Sequence, residues 1–312
     1  MPPVAESSPS PAAKRPEPLG SARRSPAATA NRRSTSWGRD AATVRRQAAV
    51  RDLVMGLGRQ DFERRHPGAR LAPVVVLITA YEEADNIGPV LDAVPAAIGD
   101  LAVSTLVVVD GGDDGTEDVV AAHGALCARL PVNMGQGVAL RLGYRLCDEL
   151  GARYVVTVDA DGQNDPREVP GLLAPVLAGE ADFVVASRRL GQDRTADRFR
   201  RAGVVVFSAL LSWLTGQRLT DTSNGFRALR IEVLRAVRLE QDQYQTAELL
   251  LSAAACGFRL AERPTVWHPR ASGHSKKGGN LWFGFRYASV IARTAWRERR
   301  RLPGLGGRPA LP

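Results

Sequence analysis

The sequence has no run approaching the roughly 20 uninterrupted apolar residues that a membrane-spanning helix requires. Its first forty residues contain no apolar core of the kind a secretory signal carries. Cysteine is scarce and odd in number. Cys127, Cys147 and Cys256 are too widely spaced for a zinc site or a disulfide framework, and they fit a reducing interior in which free cysteine packs as a small hydrophobe. What remains, 44% apolar and 24% charged residues over 312 positions, is the composition of an ordinary globular protein with material for a sizeable core.

The net charge of +9 suggests nucleic-acid binding until it is located. Residues 1–70 hold 14 Lys and Arg against 6 Asp and Glu, and the remaining 242 hold 28 against 27. The excess therefore sits on residues 1–70, and no nucleic-acid partner is expected. Residues 1–40, rich in Pro, Ser, Ala and Arg, read as a disordered basic leader that could touch anionic lipid; an organelle transit peptide has a similar composition. Residues 41–70 read as an amphipathic helix and linker, with Val44, Ala48, Val50, Leu53, Val54 and Leu57 at mostly helical spacings.

From residue 73 the pattern changes. Val/Ile-rich runs at 73–79, 105–109, 154–158 and 182–186 alternate with amphipathic stretches near 86–97, 116–124, 137–150 and 167–178. Strands without polar alternation, separated by helices, predict an α/β fold with a mostly parallel sheet covered by helices on both faces. Ligands of such sheets bind beyond the carboxyl ends of the strands. Tyr81-Glu82-Glu83, Asp110 through Thr116, Asp159 through Gln163 and Ser187-Arg188-Arg189 all follow those ends.

Asp159 and Asp161, at i and i+2 on leaving a strand, can face one point and offer the oxygen ligands that Mg²⁺ or Mn²⁺ prefers. Asp159-Ala160-Asp161-Gly162 can equally make a simple Asx turn. Gln163 adds a neutral oxygen or a hydrogen bond. Asn133 to Gly137 is a glycine-rich helix start without the third glycine of a dinucleotide fingerprint. Arg188, Arg200, Arg201, Arg227, Arg230, Arg270, Lys276 and Lys277 form a basic complement suited to phosphate groups, or to surface salt bridges. His268 and His274 lie in a Gly/Ser/Lys loop, where either a ligand or a bystander histidine fits. The segment Trp282 to Trp296, ending in Arg297, Arg299, Arg300 and Arg301, suits an interfacial helix or a docked C-terminal helix equally.

Together these blocks resemble the family 2 glycosyltransferases, and most closely their dolichyl- or polyprenyl-phosphate mannose and glucose synthase branch. The likeness runs from about residue 73 to residue 290. It rests on Thr79-Ala80-Tyr81-Glu82-Glu83, Val109 through Thr116, Asn133 through Gly137, Asp159-Ala160-Asp161-Gly162-Gln163, Asp221 through Arg227 and Arg270 through Lys276. It implies a GT-A nucleotide-diphosphosugar transferase fold over residues 71–280, with an aromatic and basic C-terminal helix and tail over 281–312. It also implies inverting transfer of a hexose. Asp159, Asp161 and Gln163 would hold Mg²⁺ or Mn²⁺. Thr79, Tyr81, Glu83, Asp110, Asp159, Ala160 and Gln163 would contact a GDP- or UDP-sugar. Arg188, Arg270 and Lys276, with Arg201 or Arg200 beside them, would grip the phosphates of donor and acceptor.

Three departures stand out. The family's proline and asparagine of the first block are Thr79 and Glu82, the second aspartate of the nucleotide block is Gly111, and no membrane helices follow. The acceptor is expected to be polyprenyl phosphate, reached by peripheral contact on the cytoplasmic face of a membrane. The alternative is a small-molecule hydroxyl acceptor, for which Glu248 is the candidate base. A nucleotidyltransferase would need a basic glycine-rich loop at the first strand, which is missing; a non-catalytic binder on this fold is the remaining rival.

Overall fold

Runs of β-branched residues that no charged side chain interrupts become the spine of one sheet. The computed structural model describes residues 41–194, 198–270 and 280–309. In chain order, α1 (Ala41–Arg65) leads to β1 (Val74–Ala80), α2 (Ala84–Asp92), the short β2 (Ala97–Ile98) and β3 (Leu101–Val109). Then come α3 (Thr116–Ala122), β4 (Leu126–Arg129), α4 (Gln136–Glu149) and β5 (Tyr154–Asp159). A 3-10 turn at Pro166–Glu168 runs into α5 (Val169–Leu177), β6 (Phe183–Asp193) and α6 (Arg198–Thr215). β7 (Arg227–Arg230), α7 (Ile231–Ala236), α8 (Gln245–Ala255), β8 (Leu260–Trp267) and α9 (Asn280–Glu298) follow, with a last 3-10 turn at Pro303–Leu305.

The strand order is β2-β3-β1-β5-β7-β6-β8, with β4 also beside β3. β1, β3, β4 and β5 pair in parallel, as do β6 and β8. β7 runs antiparallel to both its neighbours. The cause lies just ahead of it. Thr220 bonds Ser187 through their hydroxyls and Asp221 accepts from Arg188, so the chain is pinned beside the middle of β6 and runs back along its first half.

Alternation along the strands divides the core in two. Val75 and Leu77 of β1 point to the face packed by α1, α4, α6, α8 and α9; Val74, Val76 and Ile78 point to the face packed by α2, α3 and α5. α9 spends its apolar side on this packing: Tyr287, Val290, Ile291 and Ala295 are buried. α1 also belongs to the fold, since Val54 and Phe62 enter the first core. It closes the outer edge of β4 as well. Asp61 accepts from the Arg129 amide at 3.0 Å, and His66 Nε2 from the Cys127 amide at 3.0 Å. An open strand edge is a template for association, and these side chains cap its donors.

Candidate active site

β1, β3 and β5 lie side by side and in parallel, so their carboxyl ends deliver Glu83, Asp110, Asp159 and Asp161 to one rim of the sheet. Asp159 accepts from Gln136 Nε2 at 2.8 Å, and Gln136 also reaches Thr79 Oγ1 at 3.4 Å. Gly225 faces this carboxylate so closely that a Cβ would come within 2.9 Å of Oδ2. A larger residue there would push the Asp159 carboxylate aside. Behind Asp159 a cavity of about 20 Å³ is lined by residues including Thr79, Tyr144, Arg227 and Gln245, room for a single water. Gln245 Oε1 is buried there without a protein partner among the described residues.

Asp161 accepts from the Gln163 amide at 3.1 Å and from Arg270 Nη2 at 2.8 Å. The other end of that guanidinium donates to Glu83 Oε1 at 3.0 Å, and Asn86 donates to Glu83 Oε2 at 2.7 Å. Arg270 thus joins two carboxylates that leave different strands. Gln163 is tied down by His268: its side-chain amide donates to the His268 carbonyl at 3.3 Å and its own carbonyl accepts from the His268 amide. Ala160 is buried in the core between the two aspartates.

Asp110 lies deeper. Its oxygens accept from the amides of Met134 and Gly135, both at 2.8 Å, which fixes the turn before α4. Burial pushes its carboxyl up to about 6 although those two amides favour the charged form. Gly111 follows with φ of 73°, and a Cβ there would come within 2.5 Å of the Asn133 amide. An aspartate does not fit at that position in this chain. The Tyr81 ring packs near Gly112, and its hydroxyl, hydrogen-bonded to Glu82, is made less acidic.

Arg188 is buried. It donates twice to Asp221, at 2.6 and 2.8 Å, once to Ser223 Oγ, and stacks on the Trp267 ring at 4.7 Å. Burial opposes its charge, yet Asp221 more than offsets this and holds the guanidinium above its ordinary pKa. With Arg189, Asp193, Arg201, Val204 and Val205 it lines a cavity of about 200 Å³, in which Arg201 lies 3.7 Å from Asp193. Arg227 is fully buried and donates to the carbonyls of Thr222, Asn224 and Thr246, a structural role. Lys276, His274 and the leader at 1–40 lie outside the described residues. Sequence reasoning gave no role to Gln136, Asn86 or Trp267; Gln136 carried a signal, as the first residue of a helix behind Asn-x-Gly.

Residues 75–238, just over half of the chain, match the model of glycosyl transferase family 2. The chain belongs to that family. This family 2 glycosyltransferase is 29% identical over 253 residues to the undecaprenyl-phosphate mannosyltransferase of Micrococcus luteus, covering 76% of this chain and 99% of that one. It is 31% identical over 198 residues to the dolichyl-phosphate hexose transferase of Haloferax volcanii, covering 64% and 84%. Among solved structures it resembles glucosyl-3-phosphoglycerate synthase from Mycobacterium tuberculosis, in complex with Mn²⁺, UDP and phosphoglyceric acid. That likeness has a TM-score of 0.55 at 20% identity, covers 84% of each chain, and shows a shared GT-A fold.

Proposed function

We propose that this glycosyltransferase is an inverting, metal-dependent hexosyltransferase that passes a sugar from a nucleoside-diphosphate sugar to polyprenyl phosphate. The observation that carries the reading is the Arg270 guanidinium seated between Glu83 and Asp161. A cationic group held by carboxylates at the sheet rim marks a place of concentrated negative potential, and its donor set is all oxygen, as Mg²⁺ and Mn²⁺ prefer. Among the described residues no cluster of three or more His, Cys, Asp or Glu makes a complete metal shell. Asp159 and Asp161, with Gln163 beside them, would therefore share the ion with the donor diphosphate, the usual arrangement for Mg²⁺. When bound, the ion supplies charge neutralisation at the departing diphosphate.

The chain's own residues do the rest. Thr79, Tyr81, Glu83 and Ala160 line the nucleotide side, and Asp110 shapes it through the Met134–Gly135 turn. Arg201, Arg270 and Lys276 orient the phosphates, and Arg188, committed to Asp221, fixes the wall of the cavity beside Arg201. An acceptor phosphate oxygen forms the new bond to the anomeric carbon from the face opposite the donor. The electron pair of the broken bond leaves with the nucleoside diphosphate. A phosphate monoester, with its second pKa about 6, is already anionic near neutrality, so no proton has to be removed. Glu248, the candidate base for a hydroxyl acceptor, is fully buried and holds the Glu240 and Gln241 amides and Arg297. That supports a phosphate acceptor. So do the names of the Micrococcus and Haloferax relatives. Mn²⁺ and UDP in the mycobacterial synthase support the metal and a uridine nucleotide.

The test is thermal-shift binding of a nucleotide-sugar panel with and without Mn²⁺, followed by radiolabelled transfer to short-chain polyprenyl phosphate. Metal-dependent binding and transfer to the lipid phosphate are expected. Full activity in chelator, or transfer only to a soluble hydroxyl compound, would overturn the reading.

A further inference from the structure

Asp159 sits in a ring of contacts between the first residues of two helices, and protein atoms make every link of the ring but one. Gln136, which opens α4, donates from Nε2 to Asp159 Oδ1 at 2.8 Å. Gln245, which opens α8, donates from Nε2 to the carbonyl of Gly137 at 3.3 Å. A carbonyl only accepts, so this bond fixes which end of the Gln245 amide carries the oxygen, and Oε1 is left for another partner. Gln245 is 3% exposed, and Oε1 has no protein partner among the described residues. Buried polar atoms in native proteins are nearly always hydrogen-bonded, so this oxygen calls for a donor. The backbone holds Gln245 where it is. The Gly137 amide donates to the Asp242 carbonyl at 2.9 Å, and a Cβ on Gly137 would strike the carbonyls of Gln241 and Asp242, so the loop ahead of α8 is seated on α4.

The remaining link runs through the cavity of about 20 Å³ that Gln245, Asp159, Tyr144 and Arg227 help to line. This is the size of one water and far below that of any organic ligand. The walls offer a water both kinds of partner. Gln245 Oε1 and the Asp159 carboxylate accept. The Tyr144 hydroxyl donates, since burial pushes it well above its ordinary pKa and keeps its proton in place. Arg227 is the one positive charge on the wall. It donates to the carbonyls of Thr222, Asn224 and Thr246, and among the described residues no carboxylate pairs with it directly. A polar, closed space with three or more such groups is the setting in which buried water is held as part of a structure.

We propose that one buried water closes the ring by donating to Gln245 Oε1 and to the Asp159 carboxylate, and that Gln245 is thereby a positioning residue for Asp159. The carboxylate is then held from two sides, directly by α4 through Gln136 and through the water by α8. Held so, it keeps one orientation before any ion arrives, which is what groups behind a metal ligand contribute to affinity. Gln245 itself touches neither donor nor ion. The inference deepens the metal-dependent reading and rests on it only for the consequence at the ion, not for the water.

The experiment is a double-mutant cycle on the full chain with Gln245→Met and Tyr144→Phe. Tyr144→Phe removes only a hydroxyl and keeps the ring in the core, so it stays informative if Gln245→Met folds poorly. The first reading is Mn²⁺ binding in the presence of UDP, by electron paramagnetic resonance of free Mn²⁺. Gln245→Met should weaken it about tenfold, the size typical of losing a group that orients a metal ligand. Tyr144→Phe should weaken it about threefold, and the double variant no more than Gln245→Met alone, because both changes remove partners of the same water. Effects that multiply, or a Tyr144→Phe protein that binds Mn²⁺ like wild type, would reduce Gln245 to a tie between α8 and Gly137 and overturn the proposal. Urea midpoints of the same four proteins repeat the cycle without metal, with the same non-additivity expected. A high-resolution crystal structure of wild type should show one ordered water within hydrogen-bond distance of both Gln245 Oε1 and Asp159. A dry cavity, or a water that reaches only one of them, would overturn the proposal as well. Wild type that binds no Mn²⁺ would sink the metal reading alone, because the urea cycle and the crystal structure judge the water without it.

Discussion

Two arginines meet carboxylates near the rim of the sheet, and they are used differently. Arg188 and Asp221 are a closed unit: their side chains are 4% and 0% exposed, and the Arg188 amide, Ser223 and Trp267 complete the packing. Burial pushes the Asp221 carboxyl up, but Arg188 outweighs it and keeps the pKa low. Arg270, 21% exposed, gives one end to Glu83 and the other to Asp161. The first pair fastens the segment ahead of β7 to the middle of β6. The second holds a place in which the proposed metal and donor would compete for the same oxygens.

If this contrast is right, the largest effect belongs to Asp221→Ala. It strands a buried guanidinium, which costs about 3–5 kcal/mol, a large part of the stability of a single domain. Urea unfolding measures it; a loss below about 1 kcal/mol would mean that the pair is not closed. Asp161→Ala should instead unfold at nearly the wild-type urea concentration and lose transfer by about 10³-fold, roughly 4 kcal/mol of transition-state stabilisation. Equal losses of stability in the two variants would erase the distinction.

Asp110 provides a third environment, a buried carboxylate met by amides rather than by arginine. Its pKa is raised to about 6 from 3.8, so the stability that its protonated form contributes is complete below about pH 4 and is gone once the pH has risen through about 6. Asp110→Asn removes that titration. The stability difference between wild type and variant should shift by about 1–3 kcal/mol between pH 4 and pH 7, in the sense that wild type loses ground as pH rises. Melting temperatures that run parallel across this range would contradict the raised pKa. The smallest effect concerns Arg270→Met without nucleotide. Relieved of an internal competitor, Asp161 should bind Mn²⁺ a few-fold more tightly, a change of about 1 kcal/mol read by electron paramagnetic resonance of free Mn²⁺. Weaker Mn²⁺ binding would show that Arg270 shapes the site instead of occupying it.

The frame of the fold was legible because β1, the second half of β3, β5 and the first half of β6 are buried on both faces and so carry Val/Ile-rich runs. β7 was not: four residues bounded by Arg227 and Arg230 have no pattern of their own, and their direction comes from contacts with β6. β8 contains Glu262, Arg263 and Pro264, which only an edge strand tolerates. α8 is buried nearly all round, so no polar face reveals its period. At the site, Asp159 and Asp161 were readable from local spacing. The contact of Arg270 with Asp161 spans 109 positions and that of Arg188 with Asp221 spans 33, separations at which a sequence names a basic residue but not its partner.

One consequence of the first helix concerns anyone who would borrow this catalytic unit for a fusion or a transplant. Family likeness begins at residue 75, so the natural place to cut is just before it. Such a cut would discard α1, and with it Val54 and Phe62 from the core and the caps on the Cys127 and Arg129 amides. The trimmed piece would present a raw strand edge beside an emptied hydrophobic socket, an invitation to strand addition and insoluble product. The portable part of this protein starts by residue 41, more than thirty residues ahead of the family match.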